Sequence, residues 1–367
     1  MPTFDPIGGT ATCYRLAEAF YGKVDKDPVL RPFFPGKSLH CAIEELSAFL
    51  VQLLGGPDTD SQRRWHVGLH HSHLRFRIGE SARQAWLAAM SAAIDDIQLP
   101  EPHRTRLLGF FEHASTHIVN QGDSPAPTAA IPVEYAQRWN LELTLDEIVA
   151  ALSTQNDTRA VELAATVSTA NVSFSVVNGL LARLLRTQRP EPQAHIHARL
   201  RREPAIATAR YGGRTLLHEA AALGDLPTVL LLLELGVDPN IPDASDHAPL
   251  YSLANGCLVG GGEIVHALVR AGANVNAQEG IQRCAPLHMA ARRDSVDAAK
   301  ALLECGATVD IRDKANDTPL RRAVNCNQPG MARLLLAAGA NPNSRGSKGL
   351  TPRTAARTAE MRAILGA

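Results

Sequence analysis

The chain has 367 residues, 45% apolar and 20% charged, which is ordinary for a globular protein and too long for a single hydrophobic core, so two or three domains are expected. Lys and Arg number 37 and Asp and Glu 37, a balance without the basic excess of a nucleic-acid footprint or a polybasic membrane anchor. No stretch approaches the roughly eighteen apolar residues of a membrane span, and Met1-Pro2-Thr3-Phe4-Asp5 lacks the start of a secretory signal, so neither nucleic acid nor membrane is an expected partner and the location expected is cytoplasmic.

The first predicted helix lies between Cys13 and Val24, with Leu16, Ala17, Ala19 and Phe20 apolar and Tyr21 at its inner end. A second covers residues 39–54, where Ala42, Leu46, Phe49, Leu50 and Leu53 recur at the helical period, and Gly55-Gly56-Pro57 stops it. Residues 58–68 read as polar and irregular. They lead to Leu69-His70-His71-Ser72-His73, with Phe76-Arg77-Ile78-Gly79 behind it. In a short helix over about 66–74, His66, His70 and His73 share a side and His71 lies off it, so periodicity leaves three candidate ligands. A lone His is more often structural than a ligand, and its surroundings must decide. If the segment is helical, a ligand at His73 can donate its other ring nitrogen to the carbonyl of Leu69.

Ser81 is a candidate cap for a helix carrying Trp86, Met90, Ala93 and Ile94 inward. Pro102 starts another helix through Leu107, Leu108, Phe111, Ala114 and Ile118. Ser124-Pro125-Ala126-Pro127-Thr128 has the composition of a linker. Beyond it Thr144-Leu145-Asp146-Glu147 has capping-box spacing, and Val177, Leu180, Leu181, Leu184 and Leu185 make an apolar face. His195 and His197 read as surface residues. The six cysteines, Cys13, Cys41, Cys257, Cys284, Cys305 and Cys326, contain no C-x-x-C pair, so they are expected to be reduced thiols filling small buried sites.

From Gly213 the chain repeats itself. Thr215-Leu-Leu-His218, Ala248-Pro-Leu-Tyr251, Ala285-Pro-Leu-His288, Thr318-Pro-Leu-Arg321 and Thr351-Pro-Arg-Thr354 start at intervals of 33, 37, 33 and 33 residues. This period and opening resemble ankyrin repeats. Thr caps the first helix, Pro occupies its first turn, Leu enters the core between repeats, and Gly236, Gly272, Gly306 and Gly339 end the second helices. The longer interval is assigned to an insertion at Gly260-Gly261-Gly262, and the polar last copy to a cap.

Residues 3–120 resemble the group II truncated haemoglobins. The resemblance is carried in order by Gly8-Gly9, Phe20-Tyr21, Asp27-Pro28-Val29-Leu30-Arg31-Pro32-Phe33-Phe34-Pro35, Gly55-Gly56-Pro57, His73-x-x-Phe76-Arg77-Ile78, Ala85-Trp86-Leu87, and Leu107-Leu108 to Val119-Asn120. It implies haem b (iron protoporphyrin IX) with His73 as proximal iron ligand, because Phe76-Arg77-Ile78 sets the register. A porphyrin supplies four nitrogens, so one imidazole and an apolar slot suffice. The resemblance also implies that Tyr21 and Trp86 donate to a bound gas, that Phe34 wedges the haem, and that Ala42 and Leu46 cover its distal face. Phe34 stands where many members have tyrosine, and Arg75 where proline is usual. Arg75 or Arg77 is then expected to meet a propionate.

The expected fold is all-α: a two-over-two truncated globin at 1–121, a linker at 122–132, a helical connector at 133–205 and an ankyrin solenoid of about five repeats at 206–367, the last a cap. The leading function is binding of a diatomic gas, oxygen or else nitric oxide or carbon monoxide, with a protein partner held by the repeats. A nitric oxide dioxygenase or peroxidase served by a separate reductase is the second reading, since no glycine-rich dinucleotide fingerprint follows a strand. An ankyrin adaptor with a vestigial globin is the third.

Overall fold

The computed structural model describes residues 4–36, 38–57, 69–122, 126–127, 130–170 and 172–366; the side chains at 71, 72 and 134 are not described. His66, the stretch 58–68, Ser124, Pro125 and Thr128 lie outside the described residues, as does the His71 side chain. Among the described residues the chain is helical, with no strand and one isolated bridge between Glu279 and Cys284. None of the described helices is long and apolar enough to cross a membrane.

Met1–His195 with Arg210–Gly212 form one compact unit, and Ile196–Ala209 with Gly213–Ala367 another. In the first, α1 (Gly9–Val24) packs on α2 (His40–Leu54), and α4 (Glu80–Asp96) packs on α5 (His103–His117) and crosses α1. The short α3 (Leu69–His73) lies between these two pairs in sequence. The apolar stripe of each helix meets in one core holding Leu16, Phe20, Leu50, Leu54, Met90, Ile94, Leu107 and Phe110. Gly55 ends α2 at φ +85°, a left-handed conformation that favours glycine, and its amide turns back onto the Gln52 carbonyl.

Two local signals resolve differently from expectation. Ser81 is exposed inside α4 instead of capping it. The chain already turns helical after Gly79, whose extended backbone and carbonyl accept the Arg83 amide at 3.0 Å. Thr144 sits in the middle of α6 (Val133–Ser153), a continuous helix of 21 residues, and its hydroxyl donates to the Asn140 carbonyl at 2.9 Å. Capping-box spacing carries no boundary when the preceding residues, here Tyr135 to Asn140, have a buried face of their own.

That face belongs to the core of the first unit. Tyr135 and Trp139 are buried in it, and both rings meet Phe110 edge-on at 5.7 Å. Next come α7 (Asp157–Thr166), packed on α6, then α8 (Phe174–Leu185) and α9 (Pro190–Arg202). Val177, Leu180, Leu181, Leu184 and Leu185 are all buried on α8, as the periodicity requires.

In the second unit the first helices of successive repeats stack: α10 (Leu216–Leu223) on α12 (Pro249–Gly256), then α14 (Pro286–Arg293), α16 (Pro319–Asn325) and α18 (Pro352–Ala355). The second helices form a parallel row: α11 (Leu226–Glu234), α13 (Gly262–Arg270), α15 (Val296–Glu304), α17 (Pro329–Ala337) and α19 (Ala359–Leu365). Two repeats join through a buried histidine. The Thr215 and Ala285 amides donate to Nδ1 of His218 and His288, whose Nε2 atoms reach the carbonyls of His247 and Asp317, each at 3.0 Å. The other three openings replace this histidine by Tyr251, Arg321 and Thr354.

Thr caps its helix at Thr318 and Thr351, while the Ala248 and Ala285 openings have no hydroxyl to offer. The long interval is a composite. The second helix starts ten residues after the first in α10–α11, α14–α15 and α16–α17, but thirteen after it in α12–α13; the fourth extra residue falls between α13 and α14. His197 is half-buried with Nε2 at 2.9 Å from the Thr228 hydroxyl, which corrects its reading as a surface residue. Spacing along α9 could not show that Thr228, 31 residues on, covers it. The expectation of thiols filling small buried sites holds for Cys13, Cys257 and Cys284 but not for the exposed Cys41 and Cys326.

Candidate functional site

The first unit encloses a cavity of about 1140 Å³. Its walls are mostly apolar and aromatic, drawn from α1, α2, α4, α5 and the turns at 30–36 and 73–78. All eight residues singled out from the sequence line it: Tyr21, Phe34, Ala42, Leu46, His73, Phe76, Arg77 and Trp86. Tyr21 meets the rings of Phe20 and Phe34 edge-on at 5.0 and 5.4 Å, and Trp86 lies 5.2 Å from Phe20 and 5.4 Å from Phe111. These contacts hold each polar-tipped ring by its apolar body.

Among the described residues His73 is the one imidazole on the cavity wall. Its Nδ1 donates to the Leu69 carbonyl at 2.7 Å, which fixes the tautomer and places the lone pair on Nε2. Burial lowers its pKa; the Leu69 carbonyl opposes that, Arg75 reinforces it, and Asp146 and His70 act in opposite directions with lesser weight. The result is a neutral ring, the form that binds a metal. His70 turns elsewhere, with Nδ1 donating to the His117 carbonyl at 2.5 Å, so it does not compete for the cavity.

The turn after His73 is tied in place. The Phe76 amide donates to the His73 carbonyl at 2.9 Å, Asn120 Nδ2 donates to the Phe76 carbonyl at 2.8 Å, and the Ile78 amide donates to Asn120 Oδ1 at 2.9 Å. Phe76 thus stands 6.2 Å from the His73 ring and 6.0 Å from Phe34. Arg75, in the place where the resemblance leads one to expect proline, lays its guanidinium over Phe76 at 4.6 Å. With Arg77 it puts exposed positive charge at the cavity edge.

Sequence reasoning missed several contributors. Glu45 and Cys41 of α2 also line the cavity, one turn or less from Ala42. Burial pushes the Tyr21 phenol well above its usual range, Glu45 adds to this and Arg75 opposes it, so the hydroxyl keeps its proton. Arg83 is buried at the cavity wall and held by Ser115, Glu80 and Glu112 at 2.8–3.0 Å. Asn120 closes a stretch already singled out, but nothing in its spacing identified the turn that it ties.

An imidazole with a fixed tautomer, an apolar slot of this size and cations at its edge match the needs of a porphyrin, with its apolar faces, its iron and its propionates. The fold and this cavity define a globin joined to a repeat solenoid. A bacterial-like globin family model matches residues 2–120, an ankyrin-repeat model matches 212–244, and a three-copy ankyrin model matches 251–346. The chain is 34% identical over 110 residues to the group 2 truncated hemoglobin YjbI of Bacillus subtilis (strain 168), covering 30% of this chain and 83% of that protein. It is 30% identical over 131 residues to two-on-two hemoglobin-3 of Arabidopsis thaliana, 33% of this chain and 74% of the relative. In the repeats it is 30% identical over 136 residues to human cyclin-dependent kinase inhibitor 2A, 37% of this chain and 85% of the relative. The chain therefore belongs, by its N-terminal third, to the truncated haemoglobins, a globin family that implies haem binding, and it carries ankyrin repeats toward its C-terminus.

Proposed function

We propose that residues 1–121 hold haem b through His73 and reversibly bind a diatomic gas, with oxygen the leading ligand, and that residues 206–367 dock a protein partner. The observation that carries this reading is His73 on the wall of the apolar cavity, with Nδ1 committed to Leu69. Haem, when bound, supplies an iron able to take up a diatomic ligand. The chain's own residues do the rest.

His73 offers Nε2, and the Leu69 carbonyl raises the basicity of the ring. Phe34, Phe76 and Leu46 line the cavity with apolar groups that exclude water and would hold a porphyrin by its faces. Ala42 leaves room for gas entry, and Arg75 or Arg77 would pair with a propionate. Tyr21 and Trp86 offer an O–H and an N–H to a ligand that takes up negative charge, in surroundings where such donors are strong. The ankyrin helices expose a surface with no catalytic signature of its own, so the chemistry resides in the globin.

The test is the absorption spectrum of the haem-reconstituted full chain, reduced and then exposed to oxygen or carbon monoxide. Sharp, reversible shifts of the Soret band are expected with each gas. A helical protein that takes up no haem would leave only an ankyrin adaptor. Sustained catalytic nitric oxide consumption with a reductant would replace gas binding by turnover.

A further inference from the structure

Helix α6 begins beyond residue 120, where the globin family match ends, yet it reaches the ligand helix. Asp146, a buried residue on α6, accepts the His70 amide on Oδ2 at 2.9 Å and His117 Nε2 on the same oxygen at 3.0 Å. The His70 ring in turn donates to the His117 carbonyl, so α3, α5 and α6 close one hydrogen-bonded ring.

The amide that Asp146 grips belongs to the peptide unit joining Leu69 to His70. The carbonyl of that same planar unit accepts from His73 Nδ1. A carboxylate on the N–H side of a peptide polarises it and makes its C=O a stronger acceptor, because hydrogen bonds in series reinforce one another. A stronger acceptor at Nδ1 draws the proton away from the ring and makes Nε2 a better donor to a metal.

We infer that Asp146 is a positioning residue for His73, acting through the Leu69–His70 peptide, so that a helix outside the globin match sets the orientation and basicity of the proximal imidazole. The inference rests on His73 being the iron ligand. It gives α6 a function: whatever displaces α6 changes the iron's protein ligand. By thermodynamic reciprocity, a change in gas affinity through Asp146 is matched by an equal effect of the gas on α6.

The experiment is resonance Raman spectroscopy of the iron–histidine stretching band in the reduced, gas-free, haem-reconstituted full chain, with far-UV circular dichroism as the check on folding. Asp146→Asn keeps the size but removes the charge; it lowers the band frequency and speeds haem loss up to about tenfold. Asp146→Glu restores part of the shift. His117→Phe removes the donor that shares the Asp146 oxygen, leaves more of its charge to the peptide, and moves the band upward. A parent protein without the band would refute the ligand assignment itself. A parent with the band, and a folded Asp146→Asn or His117→Phe protein in which the band has not moved, would overturn the inference while leaving the ligand assignment standing.

Discussion

Glu279 in the repeat unit gives a prediction whose sign and size follow from its position. Only 9% exposed, it accepts the Ala248 amide on Oε2 at 2.8 Å, and Asp246 and Asp243 are close by. Burial raises its pKa from 4.5 to about 7, the amide opposes the rise, and the two aspartates add to it. The folded state thus binds the Glu279 proton more tightly than the unfolded chain. The protonated form's contribution to stability is present in full below pH 4.5, is lost as pH rises from 4.5 to 7, and is absent above that. At about 1.4 kcal/mol per pKa unit, the loss amounts to about 3 kcal/mol. Glu279→Gln keeps an acceptor for the Ala248 amide and cannot ionise. Relative to the parent, the variant therefore gains stability between pH 5 and pH 8, by a margin of about 2–4 °C in melting temperature per kcal/mol for a unit of this size. Thermal melts of both proteins at the two pH values check this. A difference that is the same at pH 5 and pH 8, or larger at pH 5, would refute the reasoning.

Two further outcomes follow from the globin unit. Trp139→Ala removes a ring that is 5% exposed and packs against Phe110, His113 and His117; the first unit should lose about 3–5 kcal/mol in urea unfolding, and a loss under about 1 kcal/mol would separate α6 from the globin core. Tyr21→Phe removes one donor from the cavity at little cost in packing; gas release measured by stopped flow should quicken about 10- to 100-fold for oxygen and far less for carbon monoxide, and equal effects on the two gases would argue against a hydrogen bond from this hydroxyl.

What the sequence made legible were features with a local signature. The repeat openings declare themselves because each repeat must place a proline at a helix start and a leucine in the shared core. The cavity residues Tyr21, Ala42, His73 and Trp86 could be read through the resemblance to truncated haemoglobins, whose glycines and aromatics set a register that helical periodicity alone left open among the histidines. Contacts closed over long separations were hidden. Asp146 meets His70 across 76 residues, and its nearest sequence signal, the Thr144–Glu147 spacing, pointed to a cap that a continuous α6 makes unnecessary. Ser81 misled for a related reason: Gly79 already supplies the extended backbone at the start of α4, so no side-chain oxygen is required there. Asn120 illustrates the middle case. Its position at the end of the globin segment was plain from the chain, but only the fold places it beside the carbonyl of Phe76.

His73→Ala is the direct probe of His73 as the iron's protein ligand. Absorption spectra of the haem-reconstituted variant should show a lost or displaced Soret band, with the parent spectrum recovered when free imidazole fills the vacated place. A variant that binds haem with the parent's spectrum and the parent's rate of haem loss would contradict it.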